Sequence, residues 1–221
     1  MTDIIAALPN LLNGLLLTCV LLCAAVLMGL MLATLMTMAT YSNRFLLKKS
    51  VEIIGFFFRG TPLLIQFFII YYGAAQFEWV RSSFLWPLLS HPMSCAIIAL
   101  ALNSASYTTV LLNGAIRSIP QNEITACAAL GMSKWLAFYR IIFSRAFKIA
   151  LPSYSNEVIM LLKGTSLAST ITLLELMGVT QQWIANTYDT FTFYILAGVL
   201  YLVLTGAIYG VFKLLHRYGF G

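Results

Sequence analysis

The sequence predicts an all-α membrane protein with five transmembrane helices, and three observations support this fold class. Hydrophobic residues make up 61% of the 221 residues and charged residues only 9%, whereas soluble domains contain roughly 25% charged residues. The mean hydropathy is +0.90. The apolar residues also form five segments long enough to cross a bilayer, which takes about 20 residues per helix. These segments cover approximately residues 11–40, 51–75, 93–114, 150–175 and 191–213.

Two of the five segments are interrupted. The second contains Gly60 and Pro62 within an apolar run, which predicts a broken or kinked helix whose freed backbone groups are satisfied by a cavity or by neighbouring helices. The fourth contains Glu157 and Lys163. Ionisable residues inside a spanning segment are typical of a helix that faces a cavity or a partner.

The distribution of basic residues predicts the orientation in the membrane. Lys and Arg follow the first, third and fifth segments, whereas the opposite loops contain only Arg81. Because short cytoplasmic loops retain Lys and Arg, we predict a periplasmic N-terminus and a cytoplasmic C-terminus. Trp79, Trp86, Trp183 and Tyr188 would then lie near the outer interface. The basic residues on the cytoplasmic side are Arg44, Lys48, Lys49, Arg117, Lys134, Arg140, Arg145, Lys148, Lys213 and Arg217.

Several function classes are disfavoured. The net charge of +6 is spread over the ends of apolar segments rather than along a basic stripe, so it reflects topology and not nucleic-acid binding. No Walker A sequence and no hydrolase motif occurs, so we expect no bound nucleotide or other cofactor. The cysteines form no C-x-x-C pair and have no nearby His, so we expect packing residues and no metal site. They are Cys19, Cys23, Cys95 and Cys127.

Because no internal repeat or linker occurs, we expect one membrane domain over residues 1–221. This domain would be surrounded by membrane lipid. The first residues lack the basic region of a signal peptide, so we expect the first segment to stay in the mature protein. The cytoplasmic loop at residues 119–148 is long enough for structure of its own. Pro120 in a first helical turn, a turn at Gly131 and an N-cap at Ser133 predict two short helices there.

This loop carries the most specific motif. The run SIPQNEITACAALGMSKW from Ser118 resembles the EAA loop of ABC importer permeases. The family's usual glutamate is replaced by Thr125, and the glutamate present is Glu123, two residues earlier, which puts the usual salt bridge to an ATPase in doubt. The resemblance implies that the loop couples to an ATPase through Gln121, Asn122, Glu123, Thr125, Ala126, Cys127 and Gly131.

Two further blocks resemble polar amino acid permeases within this family. RGTPLLIQ, with Arg59, Gly60, Thr61, Pro62 and Gln66, is similar to the block RGTPLLVQ, and KGTSLASTITLLELMG from Lys163 is similar to another. The family often carries a glutamate in the pattern A-Y-x-x-E, but in this sequence Val110 stands in place of that glutamate. Further stretches, including LNSASYTT, SYSNEV and TYD, look closest to the M-type permeases of arginine importers.

The resemblance implies the type I ABC importer permease fold, with five transmembrane helices and a cytoplasmic coupling helix, in a bacterial inner membrane. It also implies three kinds of partner: a second homologous permease subunit, an ATP-binding cassette ATPase dimer that binds the ATP, and a periplasmic basic amino acid-binding protein. The subunit itself would perform no bond chemistry. Its solute would be arginine or a related basic amino acid.

Glu157 is the first candidate for solute recognition, because a guanidinium is a well-matched bidentate partner for a carboxylate. The alternative is an internal ion pair with Lys163, although six residues place the two on largely different helix faces. Glu175 and Asp189 are expected at the outer surface, either solvated or at a docking site for a binding protein. The other candidate solute contacts are Asn103, Ser104, Tyr107, Thr165 and Ser166.

A different class of function also places charged residues in the membrane. A secondary transporter or channel driven by an ion gradient would contain Glu157 and Lys163, but it would not need the coupling loop. Changes between Gln121 and Gly131 should therefore abolish coupling in an ATP-driven importer and merely perturb folding in a secondary transporter.

Overall fold

The computed structural model describes residues 2–218, and every regular element among them is helical. Short π-helical or 3-10 turns extend three of the elements, at Ile69–Gly73 and Ala74–Gln76, at Phe138–Ile142 and at Ser166–Ile171. The α-helices are α1 (Thr2–Thr40), α2 (Phe45–Gly60), α3 (Leu63–Phe68), α4 (Glu78–Arg81), α5 (Trp86–Leu89), α6 (Pro92–Arg117), α7 (Gln121–Ala129), α8 (Lys134–Ala137), α9 (Phe143–Thr165), α10 (Leu176–Thr187) and α11 (Thr190–Tyr218).

The predicted spans correspond to three straight helices and two bent pairs. Helices α1, α6 and α11 are each long and apolar enough to cross a membrane. The second span is broken between α2 and α3, with a bend of 111°, and the fourth bends by 51° between the α9 unit and α10. Counting each bent pair once gives five spans within the described residues. Helix α1 begins about nine residues earlier than predicted and contains Pro9.

Small residues bring α1 and α6 together at the centre of the fold. A Cβ atom at Gly29 would lie 3.3 Å from the carbonyl oxygen of Ala101, so the two backbones are almost in contact there. Ala33 and Ala105 are fully buried farther along the same seam. Because lipid tails provide no hydrophobic drive between helices, such close approach is a main source of helix association in membranes.

Apolar side chains cover the outer faces of the bundle. Leu16 and Leu27 on α1 are 64% and 71% exposed, and Leu202 and Val203 on α11 are 71% and 64% exposed. Exposed aliphatic groups at these positions fit contact with lipid. Cys95 and Cys127 are buried as expected of packing residues, but Cys23 is exposed. That expectation is wrong for Cys23, because it lies on the outward face of α1.

The loop at residues 119–148 folds as two short helices, as predicted. Pro120 directly precedes α7, and Gly131 takes a left-handed backbone conformation with φ of +72°, which glycine adopts without steric cost. The Ser133 hydroxyl accepts a hydrogen bond from the Leu136 amide at 3.3 Å, confirming it as an N-cap. A π-helical turn then joins α8 to α9, so the loop is mechanically continuous with the fourth span.

We predict that substituting Gly14 by Val destabilises the protein. A Cβ atom at Gly14 would lie 3.1 Å from Leu176 Cα and 3.2 Å from the Glu175 carbonyl carbon, and overpacking against backbone costs about 1–3 kcal/mol. The matched control is Gly198→Val, where no atom lies within 4 Å of the added Cβ. Thermal unfolding in lipid nanodiscs should show a lower Tm for Gly14→Val alone. Equal Tm values for the two variants would contradict the close contact between α1 and α10.

Candidate functional site

The corner between α2 and α3 follows from its sequence. Pro62 has no amide hydrogen and forces the residue before it out of the helical conformation. Thr61 and Pro62 are accordingly extended, with ψ of 145° and 137°. The predicted break is therefore confirmed, and it leaves backbone carbonyls near the bend without helical partners.

The amide of Gln66 satisfies these carbonyls from inside the corner. Gln66 is 1% exposed, and its Nε2 donates to the carbonyl oxygens of Phe58 at 2.8 Å and Thr61 at 3.0 Å. Asn103 on α6 donates to Gln66 Oε1 at 3.0 Å and to the Phe58 carbonyl at 3.2 Å. The two amides thus replace the hydrogen bonds that the break removes, as a membrane interior requires.

Arg59 and Tyr107 fasten the same corner to α6. Arg59 Nη1 donates to the Ser106 carbonyl at 3.1 Å, and the Tyr107 hydroxyl donates to the Arg59 carbonyl at 3.4 Å. The guanidinium lies over Gly55, where a Cβ atom would be 2.6 Å from Nη1. The motif residues of the second span therefore build one polar joint with the third span. The motif glycine Gly60 ends α2 directly before the bend.

One face of α9 is polar and exposed. Ser153, Asn156, Met160 and Lys163 are exposed at helical spacing, and Glu157 is partly buried beside this face. We call the four exposed residues, Ser153, Asn156, Met160 and Lys163, the α9 stripe. Polar and charged side chains in a spanning helix rarely face lipid. The α9 stripe therefore marks a side of the subunit that faces a cavity or another protein.

Glu157 lies between the α9 stripe and α6, where its carboxylate faces the Ser104 hydroxyl. The ion pairs within 4.0 Å among residues 2–218 include neither Glu157 nor Lys163. The alternative of an internal pair between the two is thus wrong for this structure, because the side chains leave α9 on different faces. The structure brings together Glu157 and Ser104, two of the predicted solute contacts.

The other predicted contacts are used within the fold. The Asn103 amide holds the corner between α2 and α3. Thr165 is fully buried and donates to the Leu162 carbonyl at 2.6 Å, and Ser166 donates to the Lys163 carbonyl at 2.7 Å. These hydroxyls cap the end of α9 where the chain tightens into a 3-10 turn. Their contact with a solute stays a prediction.

Glu175 does not lie at the outer surface, so that expectation is wrong. It is fully buried and caps α10, with Oε1 accepting from the Gly178 amide at 2.9 Å and Oε2 from the Met177 amide at 3.0 Å. The Tyr201 hydroxyl of α11 also donates to Oε2 at 3.0 Å. A carboxylate at a helix N-terminus is stabilised by the helix dipole. Glu is not among the residues usually preferred as N-caps, so its residue type does not indicate this role.

Thr18 on α1 also contacts Glu175 and the start of α10. Its hydroxyl lies 3.4 Å from Glu175 Oε2 and accepts a hydrogen bond from the Leu176 amide at 3.1 Å. We call this group of contacts around Glu175 the Glu175 junction. Asp189 is exposed as predicted. Its Oδ1 accepts from the Thr192 amide at 3.2 Å and so caps the start of α11.

The coupling-loop helix α7 presents its small and polar residues outward. Cys127 is buried and anchors the helix, whereas Glu123 forms an ion pair with Arg145 at 3.5 Å. This partly exposed pair contributes at most about 1 kcal/mol. Leu130 and Trp135, beside the helix, are 80% and 66% exposed. The exposed residues of α7 that the motif predicted are Gln121, Asn122, Thr125 and Ala126.

Residues 25–217 match the sequence profile of a protein family described as binding-protein-dependent transport system inner membrane component. The chain belongs to this family. The match covers both bent spans, the corner, the α9 stripe and the coupling loop. This permease is therefore a membrane component of an ABC importer, and the alternative of an ion-gradient-driven transporter is not supported.

Curated relatives and a solved structure agree with this assignment. The permease is 45% identical to the arginine ABC transporter permease protein ArtM of Haemophilus influenzae, over 88% of its own length and 83% of the relative. It is 42% identical to the octopine transport system permease protein OccM of Rhizobium radiobacter, over 93% and 84% of the two chains. The crystal structure of an amino acid ABC transporter with histidines superposes with a TM-score of 0.86 at 26% identity, covering 98% and 97% of the two chains.

A more distant neighbour supports the fold alone. The inward-facing methionine transporter MetNI superposes with a TM-score of 0.70 at 17% identity. The predicted type I ABC importer permease fold is confirmed by these likenesses and by the helical architecture. The permease is thus a subunit of an ABC amino acid importer.

We predict that Gln66→Met destabilises the permease, because methionine fills a similar volume but removes the donor to the Thr61 carbonyl, leaves the Phe58 carbonyl with Asn103 alone and takes away the Asn103 acceptor. An unmade buried hydrogen bond costs about 1–3 kcal/mol. The control is Gln76→Met, since Gln76 is exposed and makes one long bond to the Tyr72 carbonyl at 3.4 Å. Thermal unfolding of the purified complex checks this, and an unchanged Tm for Gln66→Met would show that the amide does not hold the corner.

Proposed function

We propose that this permease imports arginine or a closely related basic amino acid, with the α9 stripe lining the solute path. The observation that carries the proposal is Glu157, a carboxylate inside a spanning helix that has no cationic partner within 4.0 Å among the described residues. An ionised group at this depth is costly unless it is paired. A cationic solute would supply the missing partner during transport.

The relatives favour a guanidinium as that cation. Their names specify arginine, octopine and nopaline, three compounds that share a guanidinium group. A guanidinium binds a carboxylate through two parallel hydrogen bonds, and this pairing is stronger than neutral hydrogen bonding. Ser104 beside the carboxylate would keep Glu157 oriented toward the path.

A second homologous permease subunit would close the path. Five spans can hardly enclose a solute alone, whereas two such subunits around a pseudo-two-fold axis can. The α9 stripe leaves polar groups exposed on this chain, and an apposed subunit would cover them. The pairing would bring two such stripes to a common interior.

ATP-binding partners would drive the cycle through α7. This helix carries small residues on its exposed face, which lets it sit close in a groove of an ATPase. Because α8 continues through a π turn into α9, displacement of the loop would reach the α9 stripe directly. ATP would be bound and hydrolysed by the ATPase dimer, and the permease would perform no bond chemistry.

The orientation that fits this arrangement has the N-terminus in the periplasm and the C-terminus in the cytoplasm, in a bacterial inner membrane. Arg117 ends α6 and directly precedes the coupling loop, on the side where Lys and Arg accumulate. A periplasmic basic amino acid-binding protein would deliver the solute to the opposite face.

Uptake by the reconstituted complex tests the proposal. The chain would be co-expressed with its neighbouring permease and ATPase genes, placed in liposomes, and supplied with the binding protein and labelled arginine. We expect uptake that requires internal ATP and stops when the ATPase carries an inactivating Walker A substitution. Uptake that ignores ATP and follows an imposed ion gradient would refute the proposal.

Glu157→Gln should reduce arginine uptake by about tenfold or more, since a hydrogen bond to a charged group contributes about 1.5–3 kcal/mol. Assembly should be unchanged by size-exclusion chromatography, because glutamine keeps the shape and a hydrogen-bonding oxygen. The matched control is Glu52→Gln, which alters an exposed carboxylate paired with Lys49 at 3.0 Å. Unchanged uptake in Glu157→Gln would remove this residue from solute recognition.

A further inference from the structure

Helices α6 and α9 run antiparallel and meet through polar side chains at successive turns. Ser104 on α6 faces Glu157 on α9. One turn farther along α6 is Thr108, and one turn back along α9 is Tyr154. Both of these residues line the same small cavity. The two helices therefore present polar side chains at two successive levels.

The hydroxyls of the second level have no hydrogen-bond partner within the described part of the chain. Thr108 and Tyr154 are 1% and 6% exposed, and neither hydroxyl has a hydrogen-bond partner. The neighbouring Thr109 behaves as helical threonines usually do, donating to the Ala105 carbonyl at 2.7 Å. Two unpaired buried hydroxyls at one site are unusual, because burying a polar group without a hydrogen-bond partner is unfavourable.

The cavity has a size that suits one small polar molecule. The centre of a water-sized sphere can occupy about 10 Å³ of it, which corresponds to roughly one water molecule. Apolar side chains from three helices form the rest of the wall, so Thr108 and Tyr154 are the residues of the wall that carry a hydroxyl. The wall includes Leu30 on α1, Leu111 and Leu112 on α6, and Phe147, Ala150 and Leu151 on α9.

We propose that this cavity is a binding site for one structural water molecule, which bridges the hydroxyls of Thr108 and Tyr154. The water accepts a hydrogen bond from one hydroxyl and donates a hydrogen bond to the oxygen of the other. It thereby completes a second polar level between α6 and α9, one turn from Glu157. Buried waters that satisfy otherwise unpaired groups are costly to remove and act as part of the structure.

The bridge would make Thr108 and Tyr154 positioning residues for Glu157. Tyr154 and Glu157 are three residues apart on α9, so a shift of the helix at the water moves the carboxylate relative to Ser104. This consequence rests on the proposed function, whereas the water site itself does not. The two parts can therefore fail separately.

A double-mutant cycle tests the water site in the assembled complex. The variants are Thr108→Val, Tyr154→Phe and the pair together, with Thr109→Val as the control outside the cavity. With a bridging water, each single variant should lower the Tm by on the order of 2 °C, and the double variant should lower it by less than the sum, since the second hydroxyl has already lost its bridge. Single variants that leave the Tm unchanged or raise it, with additive effects, would show a dry cavity and overturn the proposal.

A high-resolution structure of the wild-type complex gives an independent answer. We expect one density peak about 2.7–3.0 Å from both hydroxyl oxygens. No peak in a well-resolved cavity would refute the site even if the variants fail to assemble. For the positioning role, the uptake of arginine relative to citrulline, its uncharged analogue, should fall in Thr108→Val and stay at the wild-type ratio in Thr109→Val. An unchanged ratio in both variants would remove the positioning role.

Discussion

The requirement that every backbone polar group in a membrane be satisfied from within the protein governs this structure. The break at Thr61 and Pro62 would be strongly unfavourable in hydrocarbon if its carbonyls had no hydrogen-bond donors. Gln66 and Asn103 supply those donors at 2.8–3.2 Å, and in doing so they fix the second span to the third. These hydrogen bonds hold the sharp corner between α2 and α3 against α6.

The same requirement explains the Glu175 junction. The first amides of α10 need acceptors, and a buried carboxylate provides them while drawing in Tyr201 from α11. Gly14 on α1 allows Leu176, the first residue of α10, to approach α1 within van der Waals contact. Helices α1, α10 and α11 therefore share one polar anchor, and the part of the fourth span beyond its bend is held by α1 and α11.

Helix α9, in contrast, carries exposed polar side chains that neither of these two anchors uses. Its inner side packs on α6 through Ser104 and Glu157, whereas the α9 stripe is exposed. Helix α9 is also continuous with the coupling loop through the π turn at Phe138–Ile142. The helix that bears Glu157 is thus the one directly connected to the loop at residues 119–148.

The sequence by itself determined the membrane class, the five apolar segments, the break at Pro62, the turn at Gly131 and the family, because composition, hydrophobic runs and turn residues are local properties. It did not determine which polar residues are partners. Asn103 reaches Gln66 across 37 residues and Thr18 reaches Glu175 across 157, so no periodicity relates them. The expectation of a surface position for Glu175 is wrong for this reason: a carboxylate at the end of an apolar run indicates solvent, and only the tertiary structure brings Thr18 and Tyr201 to it.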